Sequence, residues 1–282
     1  MNGLFARTLT WFAPRFSARL LATVLLGSIS AAEAAPAYPE AAKGPVVDDY
    51  FGTRVADPYR WLEDVDAPET LRWIKAQQAL TTPFLAALPE REPLKARITT
   101  LWNFARRGLP RFAGNNRFYT QNDGLQNQAV LYVEPEGGAA RALIDPNPLS
   151  ADGATALTAW EPSDDGQRLA YTLAEAGSDW ETLKVRDVAS GQDLPDVLSR
   201  VKFSGLAWTH DGRALVYSRY PEVAADAAGG TFEKLAGHSL WLHRLGTPQS
   251  SDKQLFKPED PSWTVGAGLS EDGRWLLASV SK

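Results

Sequence analysis

A short unit that recurs along the C-terminal part of the chain constrains the fold more than any other feature. In each copy a polar turn separates two apolar runs, and three of the copies turn at Asp-Gly. The copies are Arg111–Tyr119, Ala159–Tyr171, Ala207–Tyr217 and Gly268–Leu277. Asp-Gly between two apolar runs is a strong signal for a β-hairpin whose two central turn residues both have positive φ. The sequence therefore predicts a series of such hairpins.

A second hairpin is predicted between successive copies of this unit. These additional hairpins turn at Gly137-Gly138, at Ser190-Gly191 and in the stretch Gly246–Ser251. Two hairpins per period of about 45–60 residues give four strands, which is typical of a β-propeller blade. A blade buries its faces against its neighbours, so several blades must stack before any is stable. We expect a mainly β fold with an incomplete propeller of about three to three and a half blades.

The part of the chain before the hairpins has helical periodicity. One helix is predicted over Ala67–Leu80, with Asp66 as its N-cap and Pro68 in its first turn. Another is predicted over Glu92–Asn103. Its apolar stripe indicates ordinary packing and consists of Leu94, Ile98, Leu101 and Trp102. The predicted organisation is thus a helical segment over residues 36–108, followed by the partial propeller over residues 109–282.

The segment Asp48–Asp64 is rich in aromatic and charged residues but follows neither a helical nor a strand period. A segment without a period of its own does not present one continuous apolar face for burial. We therefore expect Asp48–Asp64 to be ordered only because it is pinned to another part of the protein.

The first residues have the pattern of a secretory signal peptide. Three arginines precede the apolar run Leu20–Ile29, and Ala32-Glu33-Ala34 provides a small-x-small cleavage pattern. We predict a signal peptide over residues 1–35, with cleavage after Ala34 or Ala35. A periplasmic or secreted location is then expected, with no membrane contact after cleavage. The alternative is an uncleaved membrane anchor, although the run is short for a bilayer core of about 30 Å.

Composition excludes several classes of function. The net charge is −5, which disfavours nucleic acid or an anionic membrane as the main partner. The absence of cysteine excludes disulfides, thiolate catalysis and cysteine-ligated zinc. Among the three histidines, the spacing of His238 and His243 does not match a helical zinc motif. We therefore expect neither a metal nor another cofactor.

No serine-hydrolase motif occurs in the sequence. Such an enzyme commonly places its nucleophile in Gly-x-Ser-x-Gly, and the nearest approximation, Gly268–Gly273, has the wrong spacing. The neighbours His210 and Asp211 fall in a turn where their side chains splay apart. The consecutive carboxylates Asp164-Asp165 and Asp48-Asp49 diverge, so they form no glycosidase pair. We assign no catalytic residue, and from these patterns alone the chain could be a binding module.

Several longer motifs occur in an order that resembles one family. They are Asp57–Asp64 (DPYRWLED), Ala67–Gln77, Gly177–Trp180, Leu194–Leu198, Val201–Ser204, Ala207–Gly212 and His243–Ser250. Over Tyr38 to Lys282 the chain is similar to the prolyl oligopeptidases. The related oligopeptidase B shares the Leu-Gly-Thr turn, whereas the DPYRWLED form favours the prolyl branch.

This resemblance implies a two-domain serine endopeptidase that cleaves short peptides after proline. A seven-bladed propeller would act as a substrate-size gate above an α/β-hydrolase domain, on which the N-terminal helical segment would pack. The family's Ser, Asp and His lie in that C-terminal domain and have no counterpart here. We therefore expect the hydrolase domain to be absent from this sequence and the fragment to be inactive. The implied partners are short proline-containing peptides and the missing C-terminal domain.

The resemblance also implies roles for a few propeller residues. Leu194–Ser204 is similar to a family loop between the two domains, which makes Pro195, Val201, Lys202 and Phe203 candidate interdomain residues. Phe256 is similar in position to a residue that lines the substrate pocket from the propeller side. The simpler alternatives are a surface loop and a core aromatic.

A second function is compatible with the residues. The chain could be a stand-alone or partner-assembled propeller-type binding module without catalysis. Seven blades of about 50 residues need about 350 residues, which is more than the chain offers after its helical segment. Because an unclosed array leaves strand edges open, we expect poor solubility or assembly with a partner.

Overall fold

The computed structural model describes residues 37–222 and 235–282. The predicted signal peptide, residues 1–35, lies outside these residues. The N-terminal part contains two strands, a 3-10 helix at Arg60–Glu63 and two α-helices: β1 (Val47–Tyr50), β2 (Thr53–Ala56), α1 (Pro68–Ala86) and α2 (Arg91–Trp102). No helix among the described residues is long and apolar enough to cross a membrane.

The aperiodic segment contains a hairpin that its sequence did not predict. β1 and β2 pair antiparallel, and both residues of the turn, Phe51 and Gly52, have positive φ (57° and 91°). The Gly52 N–H donates to Asp49 Oδ1 at 2.6 Å and closes the turn. Residues on both faces of the hairpin are largely exposed, so no alternation of apolar and polar residues marks the strands.

The helices differ from prediction at their ends and on one face. Asp66 does not cap α1, because the N-cap is Ala67 and no side chain bonds the first turn. Pro68 does occupy the first turn, and the helix continues beyond Leu80 to Ala86. The prediction of ordinary packing for the stripe of α2 is wrong. Its four side chains are 57–60% exposed: Leu94, Ile98, Leu101 and Trp102.

Blade 1 begins directly after the helices. Its strands are β3 (Arg106–Arg107), β4 (Arg111–Ala113), β5 (Asn116–Asn122), β6 (Val130–Pro135) and β7 (Arg141–Ile144). Both β3 and β4 pair with β5, and β6 and β7 follow in order. The predicted boundary between residues 108 and 109 therefore falls between two strands that share one partner.

Blades 2 and 3 share one long strand. Seven strands form one sheet in sequential order: β8 (Ala156–Pro162), β9 (Arg168–Ala174), β10 (Glu181–Asp187), β11 (Asp193–Trp208), β12 (Ala214–Arg219), β13 (Ser239–Arg244) and β14 (Lys253–Phe256). The first half of β11 pairs with β10 and the second half with β12. Arg200 and Phe203, with φ of 59° and 54°, bend the chain between the halves. β11 is thus the outer strand of blade 2 and the inner strand of blade 3.

Blade 4 is represented by its first two strands, β15 (Thr264–Leu269) and β16 (Leu276–Ser281). The described strands therefore form three blades and the start of a fourth, and the sheets do not close. Each boundary between successive blades holds its own hydrophobic core. One residue pair represents each of the three successive boundaries: Phe118 with Leu169, Leu183 with Leu215, and Leu240 with Val265. This arrangement confirms that blades bury their faces against one another.

The Asp-Gly turns have a different geometry from the predicted one. Only the glycines have positive φ, with values of 68°, 61° and 63° at Gly166, Gly212 and Gly273. Each turn fits a type I turn followed by a left-handed glycine. In the first of them Ser163 Oγ donates to Asp165 Oδ1 at 2.6 Å, which also accepts the Gln167 N–H at 2.9 Å. Thr209/Asp211 and Ser270/Asp272 repeat these contacts.

Candidate functional site

Each of the three histidines is hydrogen-bonded to groups other than a serine hydroxyl. His210 Nδ1 bonds Asp164, and this contact raises the pKa of His210 despite some desolvation. His238 contacts backbone groups, and His243 contacts two carboxylates. Within residues 37–222 and 235–282, no His/Cys/Asp/Glu group of three is arranged to hold a metal. The described residues thus offer no serine–histidine pair for acyl transfer.

His243 lies in a fully buried polar cluster that sequence patterns did not reveal. Its Nδ1 is 2.7 Å from Asp252 Oδ1, and its Nε2 is 2.9 Å from Asp196 Oδ1. Asp196 belongs to the first half of β11, in blade 2, whereas His243 belongs to β13, in blade 3. Burial disfavours the imidazolium, but the bonds to Asp252 and Asp196 outweigh it and raise the pKa of His243.

His238 is buried at the next blade boundary in a different environment. Its Nδ1 accepts the Val265 N–H at 2.9 Å, and its Nε2 is 2.9 Å from the carbonyl oxygen of Lys202. An acceptor Nδ1 requires the proton on Nε2, so the ring is neutral. Desolvation lowers the pKa of His238, and the bond to the Lys202 carbonyl opposes this effect.

An open cleft of about 700 Å³ is bordered by strands from each of the four blades, among them β4, β8, the second half of β11, and β15. Its lining includes Arg111, Trp160 and Glu161, and the Arg111 guanidinium lies 5.1 Å from the centre of the Trp160 ring. Arg111 also forms an ion pair with Glu161. Desolvation raises the pKa of Glu161, although Arg111 opposes the shift. The cleft therefore presents an aromatic ring and an ion pair on the side of the blades that faces the propeller centre.

The predicted interdomain residues lie in strand β11, not in a loop without regular structure. Pro195 is exposed, whereas Val201 is fully buried in the core between blades 2 and 3. Phe203 is 55% exposed and has the positive φ described above. Lys202 Nζ lies 3.4 Å from Asp179 Oδ2 and 5.1 Å from the centres of the Trp180 and Phe203 rings. A role at a domain interface stays a prediction for all four residues.

Phe256 ends strand β14, at the outer edge of blade 3. It pairs with Leu240 across the β13–β14 ladder, and 40% of its surface is exposed. It lies on a different strand from Pro195, Val201, Lys202 and Phe203. The partial exposure leaves the Phe256 ring accessible, and its assignment to a substrate-pocket wall stays a prediction.

The helical segment exposes an apolar groove between α1 and α2. The groove has a volume of about 460 Å³ and is lined by Leu85, Leu88, Leu94 and Ile98, among others. All four side chains are exposed. A contiguous apolar surface of this kind marks an interaction site more often than a free surface.

The DPYRWLED motif holds the helical segment together. The Arg60 guanidinium donates to Asp57 at 2.5 Å and also pairs with Asp48 of β1. Trp61 Nε1 donates to the carbonyl oxygen of Ala42 at 2.8 Å, and its ring meets that of Trp73 edge-on. The segment that lacks a period is therefore pinned to itself and to α1.

Comparison with known proteins places the chain in a family. The family model described as the prolyl oligopeptidase N-terminal beta-propeller domain matches residues 38–282. The chain belongs to the prolyl oligopeptidase family. It is 36% identical over 247 residues to a prolyl endopeptidase of Elizabethkingia meningoseptica, covering 86% of this chain and 34% of that protein. Prolyl oligopeptidase A of Galerina marginata is 32% identical over 281 residues, with 87% and 37% covered.

Solved structures of prolyl oligopeptidases show the same fold. A prolyl oligopeptidase B from Galerina marginata bound to a 25mer macrocyclization substrate superposes with a TM-score of 0.75 at 29% identity, covering 87% of this chain and 37% of that one. A prolyl endopeptidase structure is 44% identical, with a TM-score of 0.58 and 88% and 35% covered. The chain thus spans about a third of the length of the relatives that it matches.

Proposed function

We propose that this chain supplies the N-terminal docking segment and about half of the propeller of a serine endopeptidase that cleaves short peptides after proline. The observation that carries the proposal is the continuous match of residues 38–282 to the N-terminal propeller domain of the prolyl oligopeptidase family. Two bacterial relatives named prolyl endopeptidase support the same activity, and each extends to about three times the matched length.

In the proposed enzyme the catalytic chemistry comes from a C-terminal α/β-hydrolase domain. Peptide cleavage would proceed by acyl transfer to a serine, with a histidine as base and an oxyanion hole to stabilise the intermediate. The three histidines of this chain, each engaged elsewhere, support a purely non-catalytic role for the described residues. The fragment by itself is then inactive.

The exposed groove between α1 and α2 is the proposed contact with that hydrolase domain. Leu85, Leu88, Leu94 and Ile98 provide an apolar surface that the described residues leave uncovered. A permanent interface between domains buries surfaces of this character. At the other end of the chain, Trp275 immediately before β16 and Leu277 within it are similarly exposed, as expected where further blade strands would pack.

The propeller is the proposed substrate-size gate. In a gate, the cleft with Arg111, Trp160 and Glu161 would border the central passage, and Phe256 would contact substrate from the propeller side. The bend at Arg200–Phe203 supports an interdomain role for the neighbouring residues, because left-handed non-glycine residues cost free energy and cluster at functional positions.

The first test uses the purified full chain and a chromogenic proline-containing reporter peptide. We expect no turnover above a buffer control, whereas the full-length Elizabethkingia meningoseptica relative should hydrolyse the peptide in parallel. Turnover by the purified chain that is removed by a serine-directed inhibitor would show that the catalytic group lies in this sequence and would refute the proposal.

The second test addresses Phe256 in a protein that joins residues 38–282 to a family hydrolase domain. Phe256→Ala should raise KM for a proline peptide several-fold at nearly unchanged kcat, because uniform binding contacts act on KM. Phe84→Ala, which removes an exposed ring from α1, is the matched control. Equal kinetics for the two variants would remove Phe256 from the pocket.

The rival function, a propeller-type binding module without catalysis, is separable in solution. A monodisperse chain that melts cooperatively and keeps its groove uncovered would favour the module. Self-association that disappears when polar residues replace the apolar side chains of the α1–α2 groove would favour the proposal that a hydrolase domain covers this groove. The proposed periplasmic or secreted location is tested by fractionating cells and sequencing the N-terminus, which should begin at Ala35 or Pro36.

A further inference from the structure

The Asp196–His243–Asp252 cluster is unexplained by a gate or a docking role. The side chains of all three residues are at most 1% exposed. An ionised carboxylate only accepts hydrogen bonds, so both ring nitrogens of His243 must carry protons to satisfy both aspartates. When both carboxylates are ionised, an imidazolium between them satisfies every hydrogen bond of the cluster.

The remaining groups around the cluster fit two ionised carboxylates. Asp252 Oδ2 accepts the Tyr217 hydroxyl at 2.7 Å, and Tyr217 in turn accepts Gln249 Nε2 at 2.9 Å. Asp196 Oδ1 also accepts the Gly246 N–H at 2.6 Å. The two carboxylates thus accept from the His243 ring, the Tyr217 hydroxyl and the Gly246 N–H. Desolvation and the nearby Asp252 raise the pKa of Tyr217, which keeps its hydroxyl protonated.

The cluster crosses a blade boundary. Asp196 lies in the half of β11 that pairs with β10, so it belongs to blade 2. His243 belongs to β13, and Asp252 immediately precedes β14, so both belong to blade 3. We propose that Asp196, the His243 imidazolium and Asp252 form an ionic clasp that joins blade 2 to blade 3 and opens when His243 loses its proton.

The direction of the pH dependence follows from the charge state. The pKa of His243 is higher in the folded than in the unfolded chain, so the folded chain holds the proton more tightly. The stabilisation is complete below the ordinary histidine pKa and is lost as pH rises through the higher folded value. The neutral His238 has the opposite shift, so its contribution is complete above the ordinary pKa and is lost as pH falls.

Nitrogen-15 NMR of the full chain tests the charge state directly. Selective labelling gives only three histidine spectra, from His210, His238 and His243. At pH 7 we expect two protonated ring nitrogens for His243 and one, Nε2, for His238. A neutral His243 ring at pH 7 would overturn the proposal. Because the unmodified chain is used, a variant that fails to fold does not affect this result.

Hydrogen exchange of the Gly246 amide tests whether the clasp holds the blades together. Between pH 6 and pH 9 its protection factor, corrected for intrinsic exchange, should fall at least roughly threefold as the clasp opens. The Gly166 amide, bonded to the Ser163 carbonyl in a turn that contacts blade 1, should keep its protection. Asp196→Asn should abolish the pH dependence at Gly246, and His238→Gln should preserve it. Equal pH dependence at Gly246 and Gly166 would refute the clasp.

Discussion

The helical segment and the blades treat their apolar side chains in opposite ways. In the blades, Phe118, Leu183 and Leu215 are fully buried, each against a neighbouring blade. In α2, Leu94 and Ile98 are 58% and 60% exposed. A blade finds its covering surface in the next repeat of the same chain, whereas the apolar stripe of α2 does not find one among the described residues.

This difference separates the apolar area that the chain buries by itself from the apolar area that the described residues leave exposed. Burial removes apolar area from water and contributes about 25 cal/mol for each Å². The apolar side chains at the blade boundaries are buried and already stabilise the fold in this way. Those of the groove between α1 and α2 are exposed and would contribute only when another surface covers them. Substitutions of the same chemical kind should therefore have unequal effects in the two regions.

The largest expected effect comes from a leucine at a blade boundary. Leu183→Ala should lower the free energy of unfolding by about 2–5 kcal/mol, because a fully buried side chain leaves a cavity. Leu101→Ala, in the exposed stripe of α2, should change it by no more than about 0.5 kcal/mol. Urea unfolding of the full chain, followed by tryptophan fluorescence, measures both. Equal losses would show that the helical face is packed in solution and would end the comparison.

A tyrosine pair gives the next largest difference. Tyr217→Phe removes the donor to Asp252 Oδ2 inside a core and should cost about 1–3 kcal/mol of unfolding free energy. Tyr59→Phe, at a half-exposed position of the helical segment, should stay within about 0.5 kcal/mol. The same unfolding assay compares them. A loss at Tyr217 no greater than that at Tyr59 would mean that the buried carboxylate finds another donor.

Local patterns predicted the blades well because a hairpin is encoded within about ten residues. The turns at Gly166, Gly212 and Gly273 were located correctly, and the count of blades is confirmed. The prediction of two turn residues with positive φ is wrong, because the Asp side chain and a preceding Ser or Thr stabilise a type I turn instead. The β1–β2 hairpin was missed because its exposed residues lack alternation.

Contacts between distant residues could not be predicted. Asp196 and His243 are 47 positions apart, and neither lies in a pattern that indicates the other. The motifs that contain them, Leu194–Leu198 and His243–Ser250, were recognised only through the family resemblance. The stripe of α2 is a second example. Helical periodicity identifies its apolar face, but local sequence does not specify which surface covers that face. The ionic clasp and the groove between α1 and α2 can therefore be recognised only in the folded structure.

The smallest expected effect on folding is the most informative about the groove. Ile98→Gln should change the unfolding free energy by no more than about 0.5 kcal/mol, since the side chain is already exposed. It should nevertheless reduce self-association of the chain in sedimentation velocity, because an exposed apolar surface promotes association. Arg97→Gln, an exposed change on the same helix, is the control and should leave association unchanged. If Ile98→Gln instead destabilised the fold as strongly as Leu183→Ala, the groove would be part of the chain's own core, and a docking role would lose its physical basis.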